Sequence, residues 1–218
     1  MADAEGQCFL DRVYQGSLEY AQAIGDDLKE NVYKALRLLA EGFLHTRGND
    51  LDPVHDLDEI HANSLVFLYR LLFINYAEDR RLLPRDNRLY KESYGLVSME
   101  REIVSKLQRR ESLLTLQATY WEKLKTLFDL INQGTEILGI DAETMEVPPY
   151  NGGLFDPEKH PFLEQHKVED KWLARVIDLL ARSQGEGVGR GFVDYSNLDV
   201  RHLGSCLLYT SPSPRDRS

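Results

Sequence analysis

Residues 51–84 read LDPVHDLDEIHANSLVFLYRLLFINYAEDRRLLP, and the run inside that stretch decides the fold. From Leu65 to Ile74 the chain is apolar on nearly every side of a helical projection. A helix without a polar face must be covered by neighbours on several sides, which places this one at the centre of a bundle. Asp56 and Asp58 suit its start, because carboxylates accept the unpaired amides of a first turn and complement the dipole. Pro84 closes it.

The flanking segments supply the neighbours. Over Asp27–Thr46, residues Leu28, Val32, Leu36, Leu39 and Phe43 recur at three- and four-residue intervals, the mark of one buried stripe, and Gly48 reads as the stop. Phe9–Ile24 repeats the spacing through Leu10, Val13, Tyr14 and Leu18. With Gly25 as a terminator, the two segments predict a helical hairpin. A third helical region, Ser98–Asn132, carries Ile103, Leu107, Leu113, Leu116, Tyr120, Leu124, Leu127, Phe128 and Ile131, with a break expected near Arg109–Ser112 and an end at Gly134. From Thr135 to Glu169 the period disappears, and prolines and glycines punctuate about thirty residues; loops of such length are functional or docked on another surface. Helical spacing returns over Val168–Arg182. GEGVGRG then breaks it, Phe192–Tyr195 predicts a short strand, and Ser196 or Asn197 would cap a helix starting in LDVRHLGS.

The fold class expected is therefore mainly α: a helical bundle with one long irregular Pro/Gly-containing loop and at most a short strand pair. The expected organisation is a bundle over residues 1–134, an irregular docking loop plus a helix over 135–205, and a tail over 206–218. That tail, CLLYTSPSPRDRS, looks like a translated transposase mosaic-end adapter from sequencing libraries and is excluded from fold reasoning. The natural chain is then expected to continue beyond Ser205, and Met1 to be an internal methionine as readily as a first one.

Composition narrows the function classes. With 218 residues and 42% hydrophobic content the chain can bury one core or two. No stretch approaches the ~20 apolar residues of a membrane span, and MADAEGQ lacks the basic and apolar regions of a secretory signal. Cys8 and Cys206 make neither a disulfide framework nor a zinc pair. A reducing cytoplasmic setting with no membrane partner is expected. A net charge of -10 argues against wholesale coating of nucleic acid, but residues 80–125 hold eleven Lys and Arg against six Asp and Glu. Arg80, Arg81, Arg85 and Arg88 begin that basic stretch and are the candidate DNA-backbone contacts, the competing reading being a solvated helical face.

Several motifs imitate catalytic ones. Val147-Pro-Pro-Tyr150 resembles the segment with which DNA amino-methyltransferases hold a flipped base, yet that chemistry needs Asp, Asn or Ser before the prolines to accept a hydrogen bond from the target amino group. Valine has no acceptor. No glycine-rich cofactor loop stands upstream either. Asp156 with Glu169-Asp170-Lys171 imitates a magnesium nuclease, in which the acids hold the metal and the lysine assists the attacking water. Glu169 and Asp170 sit at an apparent helix start, where acids are expected for the dipole alone. His55, Asp56, Asp58, Glu59 and His61 match no metal-site spacing and read as a solvated helix entry, while Gly187–Gly191 lacks the lysine of a phosphate cradle and reads as a hinge.

Four stretches taken in order, GSLEYAQAIGDDLKENVYKALRLLAEGF, LVFLYRLLFINYAEDRRLLP, YNGGLFDPEKHPFLE and VDYSNLDVRHLGS, resemble the helical region of large single-chain restriction-modification proteins. These are the type IIG enzymes and their relatives among adenine-N6 methyltransferases of phage resistance, the BREX type included. The resemblance spans Phe9 to Ser205. It implies a helical connector between a nuclease module and an adenine-N6 methyltransferase domain, and a parent that acts on double-stranded DNA with S-adenosylmethionine and, where it cleaves, magnesium. It carries over no catalytic, cofactor or metal residue, so no cofactor is expected in this segment itself. Tyr150, Asn151, Gly152, Gly153, Leu154 and Phe155 would form a domain-docking loop, with internal packing as the open alternative. Competing readings from other classes are a free-standing helical protein-interaction module and a small magnesium-dependent nuclease built on Asp156, Glu169 and Lys171.

Overall fold

A computed structural model describes residues 9–111, 117–141, 143–150, 152–184 and 190–197. The tail from Cys206, the segment LDVRHLGS, Asn151 and most of the 185–191 glycine stretch lie outside the described residues. Among the described residues seven helices follow one another: α1 Phe9–His45, α2 Leu57–Asp79, α3 Arg88–Ser93, α4 Leu96–Gln108, α5 Thr119–Gln133, α6 Pro161–Gln165 and α7 Asp170–Ala181. A two-stranded antiparallel sheet, β1 Arg182–Gln184 and β2 Arg190–Phe192, follows α7, in a register that opposes Ser183 to Gly191. The mainly helical class is as the periodicity predicts.

The hairpin expected at the N-terminus is a single helix. Gly25 lies inside the unbroken α1. One glycine in a helix interior costs about 1 kcal/mol relative to alanine, too little to end a helix of this length. The stop further on is real: the helix ends at His45 and Gly48 takes φ +86°. The break between α4 and α5 also falls where expected, with Arg109 ending α4 and Arg110 at φ +53°.

α2 occupies the centre. Its buried residues include Ile60, Leu65, Phe67, Leu68, Leu71, Leu72 and Ile74, and it packs against α1, α4, α6 and the turn at Tyr195–Asn197. The start differs in detail from the expectation. Asp56 is the residue before the helix, but its carboxylate accepts from Asp52 N at 2.7 Å and caps no helical amide. Asp52 in turn accepts from Val54 N and His55 N, so these acids build an exposed turn ahead of the helix.

α7 lies mainly along α1, and at Gly42 the approach is close: a Cβ there would stand 2.7 Å from Val168 Cγ1, just ahead of α7, and 3.1 Å from Trp172 Cβ. Hydrogen bonds lock the same junction. Thr46 Oγ1 accepts from Glu169 N, while the Asn49 amide donates to Phe43 O and Lys167 O and its oxygen accepts from Lys167 N. An aromatic chain completes the core. Phe43 meets Trp121 and Phe162 edge-on, Trp121 stacks on Phe67 at 4.7 Å, and Phe128 bridges Phe67 to Phe155. One hydrophobic cluster runs from Leu28 to Tyr195. The change of texture at Gly134 thus divides regular from irregular backbone and not one core from another. No helix among the described residues is long and apolar enough to cross a membrane.

Candidate functional site

Residues Val147–Tyr150 form a strap across the end of α5. Gly134 at φ +78° ends the helix, and a Cβ there would lie 2.9 Å from Val147 O, so only glycine lets the strap approach. Val147 O accepts from Thr135 N and Val147 N donates to Thr135 Oγ1. Tyr150 N donates to Ile131 O at 2.9 Å, satisfying one of the last carbonyls of α5, and its hydroxyl donates to Leu82 O. The two prolines have no amides to satisfy and are exposed between these anchors. Val147 is buried at 2% exposure, so the position that would need an acceptor for methyl-transfer chemistry serves the core.

Both aromatic anchors of the expected docking loop face their own bundle. Phe155 is buried against Phe73 and Phe128, and Tyr150 meets Phe73 edge-on at 5.8 Å. Between them Leu154 O accepts from Arg70 Nε at 2.8 Å, tying the loop to the central helix. Gly153 O lies 3.0 Å from His160 Nε2. Gly152 is exposed, with nothing within 4 Å of a would-be Cβ.

The acids that imitate a nuclease have other partners. Asp156 accepts from Glu158 N and heads the 3-10 turn Pro157–Lys159. Glu169 is paired with Lys171 at 2.9 Å, and that ammonium together with the Arg47 backbone amide holds its carboxyl below the usual range against the burial that raises it. Asp170 accepts from Tyr120 N and donates its own amide to Gln117 O. It therefore caps α5, a different helix from its own. The structure does not gather Asp156, Glu169 and Lys171 into one contact set. Among the described residues no group of three or more His, Cys, Asp or Glu is placed to hold a metal.

A second acidic centre lies where α2 ends, and sequence reasoning missed it. Glu78 accepts from Tyr90 OH, Leu96 N and Val97 N at 2.9, 2.7 and 3.0 Å, capping α4 from outside it. Burial raises the Glu78 carboxyl and these three donors oppose the shift. Asp79 accepts from Tyr195 N and pairs with Arg85. One turn into α4, Glu100 is 4% exposed, and its Oε1 has no hydrogen-bond partner. Burial pushes its carboxyl up to about 8, with Glu78 and Asp79 adding to the rise and the Asn75 amide opposing it. No contact of hydrogen-bond geometry reaches Asn75 Nδ2.

The four candidate DNA-contacting arginines sit around the α2–α3 turn. Arg80 lies over the Tyr76 ring, Arg81 Nη1 is 3.9 Å from Asp86, Arg85 pairs with Asp79, and Arg88 Nε is 3.0 Å from Glu92. Three of them thus already face a carboxylate. Two grooves adjoin there and share Arg85 and Asp86: one of about 240 Å³ reaches Lys91, Ser98 and Arg101, the other of about 470 Å³ reaches Arg81, Asp194 and the half-exposed Phe192. Comparison with protein-family models, with curated proteins and with solved structures finds no match to this chain.

Proposed function

We propose that this chain serves as a helical connector in a DNA restriction-modification protein, joining a nuclease module to an adenine-N6 methyltransferase domain and performing no catalysis of its own. The observation that supports this reading is the structural employment of its reactive-looking groups. Val147 fills core, Asp156 heads a turn, Glu169 neutralises Lys171, and Asp170 caps α5. A body with one continuous core, tied across α1, α5 and α7 by buried hydrogen bonds, is suited to fixing the distance between two modules. The parent would act in the cytoplasm on double-stranded DNA, taking the methyl group from S-adenosylmethionine and using magnesium where it cleaves. Arg81 and Arg85, which line the grooves, and Arg80 and Arg88 around the same turn would add backbone contacts.

The test is twofold. The genomic reading frame on either side is expected to encode an Asp- or Asn-Pro-Pro-Tyr motif downstream and a nuclease-like acid set upstream. Purified chain is expected to neither nick duplex DNA in magnesium nor bind S-adenosylmethionine by calorimetry. Nicking that disappears in Glu169→Ala would replace this reading by the small-nuclease one.

A further inference from the structure

Lys91 stands in the last turn of α3 and Arg101 in the second turn of α4, and both line the groove of about 240 Å³ at the junction of those helices. Both are exposed, and among the described residues neither has a carboxylate within ion-pair distance. The neighbouring arginines differ in this respect, since Arg85 is paired with Asp79 and Arg88 with Glu92. Carboxylates border the groove too, but each is engaged elsewhere. Glu78 takes the Tyr90 hydroxyl and the amides of Leu96 and Val97, and Asp86 stands 3.9 Å from Arg81. Arg101 acts on Glu100 beside it, a carboxyl that burial pushes up to about 8 and that is therefore largely protonated at neutral pH. Even with Glu78 counted as ionised, the four cations Arg81, Arg85, Lys91 and Arg101 stand against the three anions Glu78, Asp79 and Asp86. Ser98 completes the lining, and its hydroxyl has no partner among the described residues.

We propose that Lys91, Arg101 and Ser98 bind a phosphate of the DNA backbone. A guanidinium fork, an ammonium and a hydroxyl together offer a phosphate more donors than any one of them, and the exposed cations give up little hydration of their own to reach it. The first amides of α4 are already taken by Glu78, so the side chains and not the helix end carry the site. Two features favour a backbone over a lone ion. The groove runs on into the one of about 470 Å³ through Arg85 and Asp86, and Arg81 lines that second groove, so the cations are strung along a surface and do not close around a point. Three of the four arginines at the α2–α3 turn would have to leave a carboxylate to meet phosphate, whereas Lys91 and Arg101 need release only counterions. The site rests on the reading of the parent as a DNA-binding protein, and it moves the principal phosphate contacts from the α2–α3 turn to the α3–α4 junction.

Fluorescence anisotropy of a labelled duplex of about 20 base pairs with the intact chain, over about 0.05–0.2 M sodium chloride, reads the contacts through the slope of log K against log salt. Lys91→Gln and Arg101→Gln are each expected to flatten that slope by about 0.9 and to weaken binding about eightfold at about 0.1 M salt. Arg37→Gln, at an exposed cation on α1 that likewise has no carboxylate within ion-pair distance among the described residues, is expected to change neither. Should a variant lose its helical circular dichroism, amide shifts of the unaltered chain on adding duplex decide: they are expected at Lys91, Ser98 and Arg101, and shifts confined to other residues overturn the site. Displacement of the duplex by millimolar inorganic phosphate at equal ionic strength would show a free-anion site, and displacement by poly-glutamate as effective per charge as by unlabelled duplex an unselective one; either overturns the backbone assignment. Unchanged slopes in both variants, or no duplex binding at about 0.05 M salt, overturn it as well. Neither result touches the connector reading, which stands or falls with the flanking reading frame.

Discussion

Replacing Glu100 by glutamine should make the chain more stable at neutral pH. The carboxyl lies on α4 at 4% exposure with Oε1 unpartnered, and burial holds its pKa at about 8 against 4.5 for an ordinary glutamate. Below about pH 4.5 the group is protonated in the folded and unfolded chain alike and the contribution of its raised pKa is fully present. As pH climbs, the unfolded chain gives up the proton first while the folded chain keeps it, so folding stability falls until about pH 8 and then levels. At about 1.4 kcal/mol per pH unit the interval sets a ceiling of roughly 5 kcal/mol. Glutamine keeps the shape and never ionises. Urea unfolding followed by far-ultraviolet circular dichroism, at pH values from about 5 to about 8, should give curves for Glu100 and Glu100→Gln that nearly meet at the acid end and diverge steadily above it. Glu78 is shifted in the same direction but is present in both proteins, so the difference isolates Glu100 and its repulsion with Glu78. Parallel curves, or a variant that is the less stable at pH 8, would refute the assignment of a buried, poorly solvated carboxyl.

Gly42→Ala should destabilise the α1–α7 junction, because the new methyl would stand 2.7 Å from Val168 Cγ1, and Val168 at 0% exposure has no room to swing away. The helix gains about 1 kcal/mol in propensity and loses roughly 1–3 kcal/mol to overpacking, and adding Val168→Ala should recover stability in the double variant, as chemical denaturation can show. Phe155→Ala should cost roughly 3–5 kcal/mol, whereas Gly152→Ala, whose Cβ meets nothing within 4 Å, should change the urea midpoint by less than about 0.5 kcal/mol equivalent. Asp170→Ala removes the acceptor of the buried Tyr120 N and should cost about 1–3 kcal/mol; faster amide exchange in the first turn of α5 would localise the loss, and unchanged exchange there would contradict the capping role.

Much of this architecture is legible in the residues because apolar period reports directly on burial. Leu28, Val32, Leu36, Leu39 and Phe43 are all buried on the stripe that their spacing draws, and the all-round apolar run at Leu65–Ile74 does lie between several neighbours. Punctuation is less reliable. Gly25 and Gly48 look alike as letters, yet one is absorbed by a long helix and the other adopts a positive φ, because what ends a helix is the tertiary path of the chain beyond it. The docking loop shows the same limit from the other side. Tyr150 and Phe155 are recognisable as anchors, but the surface that receives them, Phe73, Phe128 and Leu82, comes from segments far away in sequence. Arg70 was invisible as a special residue, since one cation in an apolar helix ordinarily reaches solvent along its stem.

The acid pairs carry a signal that could have been read. Glu169-Asp170 stands at the start of α7, where a favourable dipole gives a sufficient local reason and hides the partner on α5. Glu78-Asp79 stands at the opposite end of α2, with no basic residue in the last turn, and there the dipole opposes it. Local physics therefore disfavours that pair, and an apolar helix that nonetheless ends on two carboxylates must find donors outside itself. The donors are the first amides of α4, the Tyr90 hydroxyl and the amide of Tyr195. An acid pair at the carboxyl end of a central helix thus points to the amino end of a neighbour before it points to a metal. The distinction is chemical: a metal site needs carboxylate lone pairs left open, and at Glu78 one oxygen takes two donors and the other takes a third.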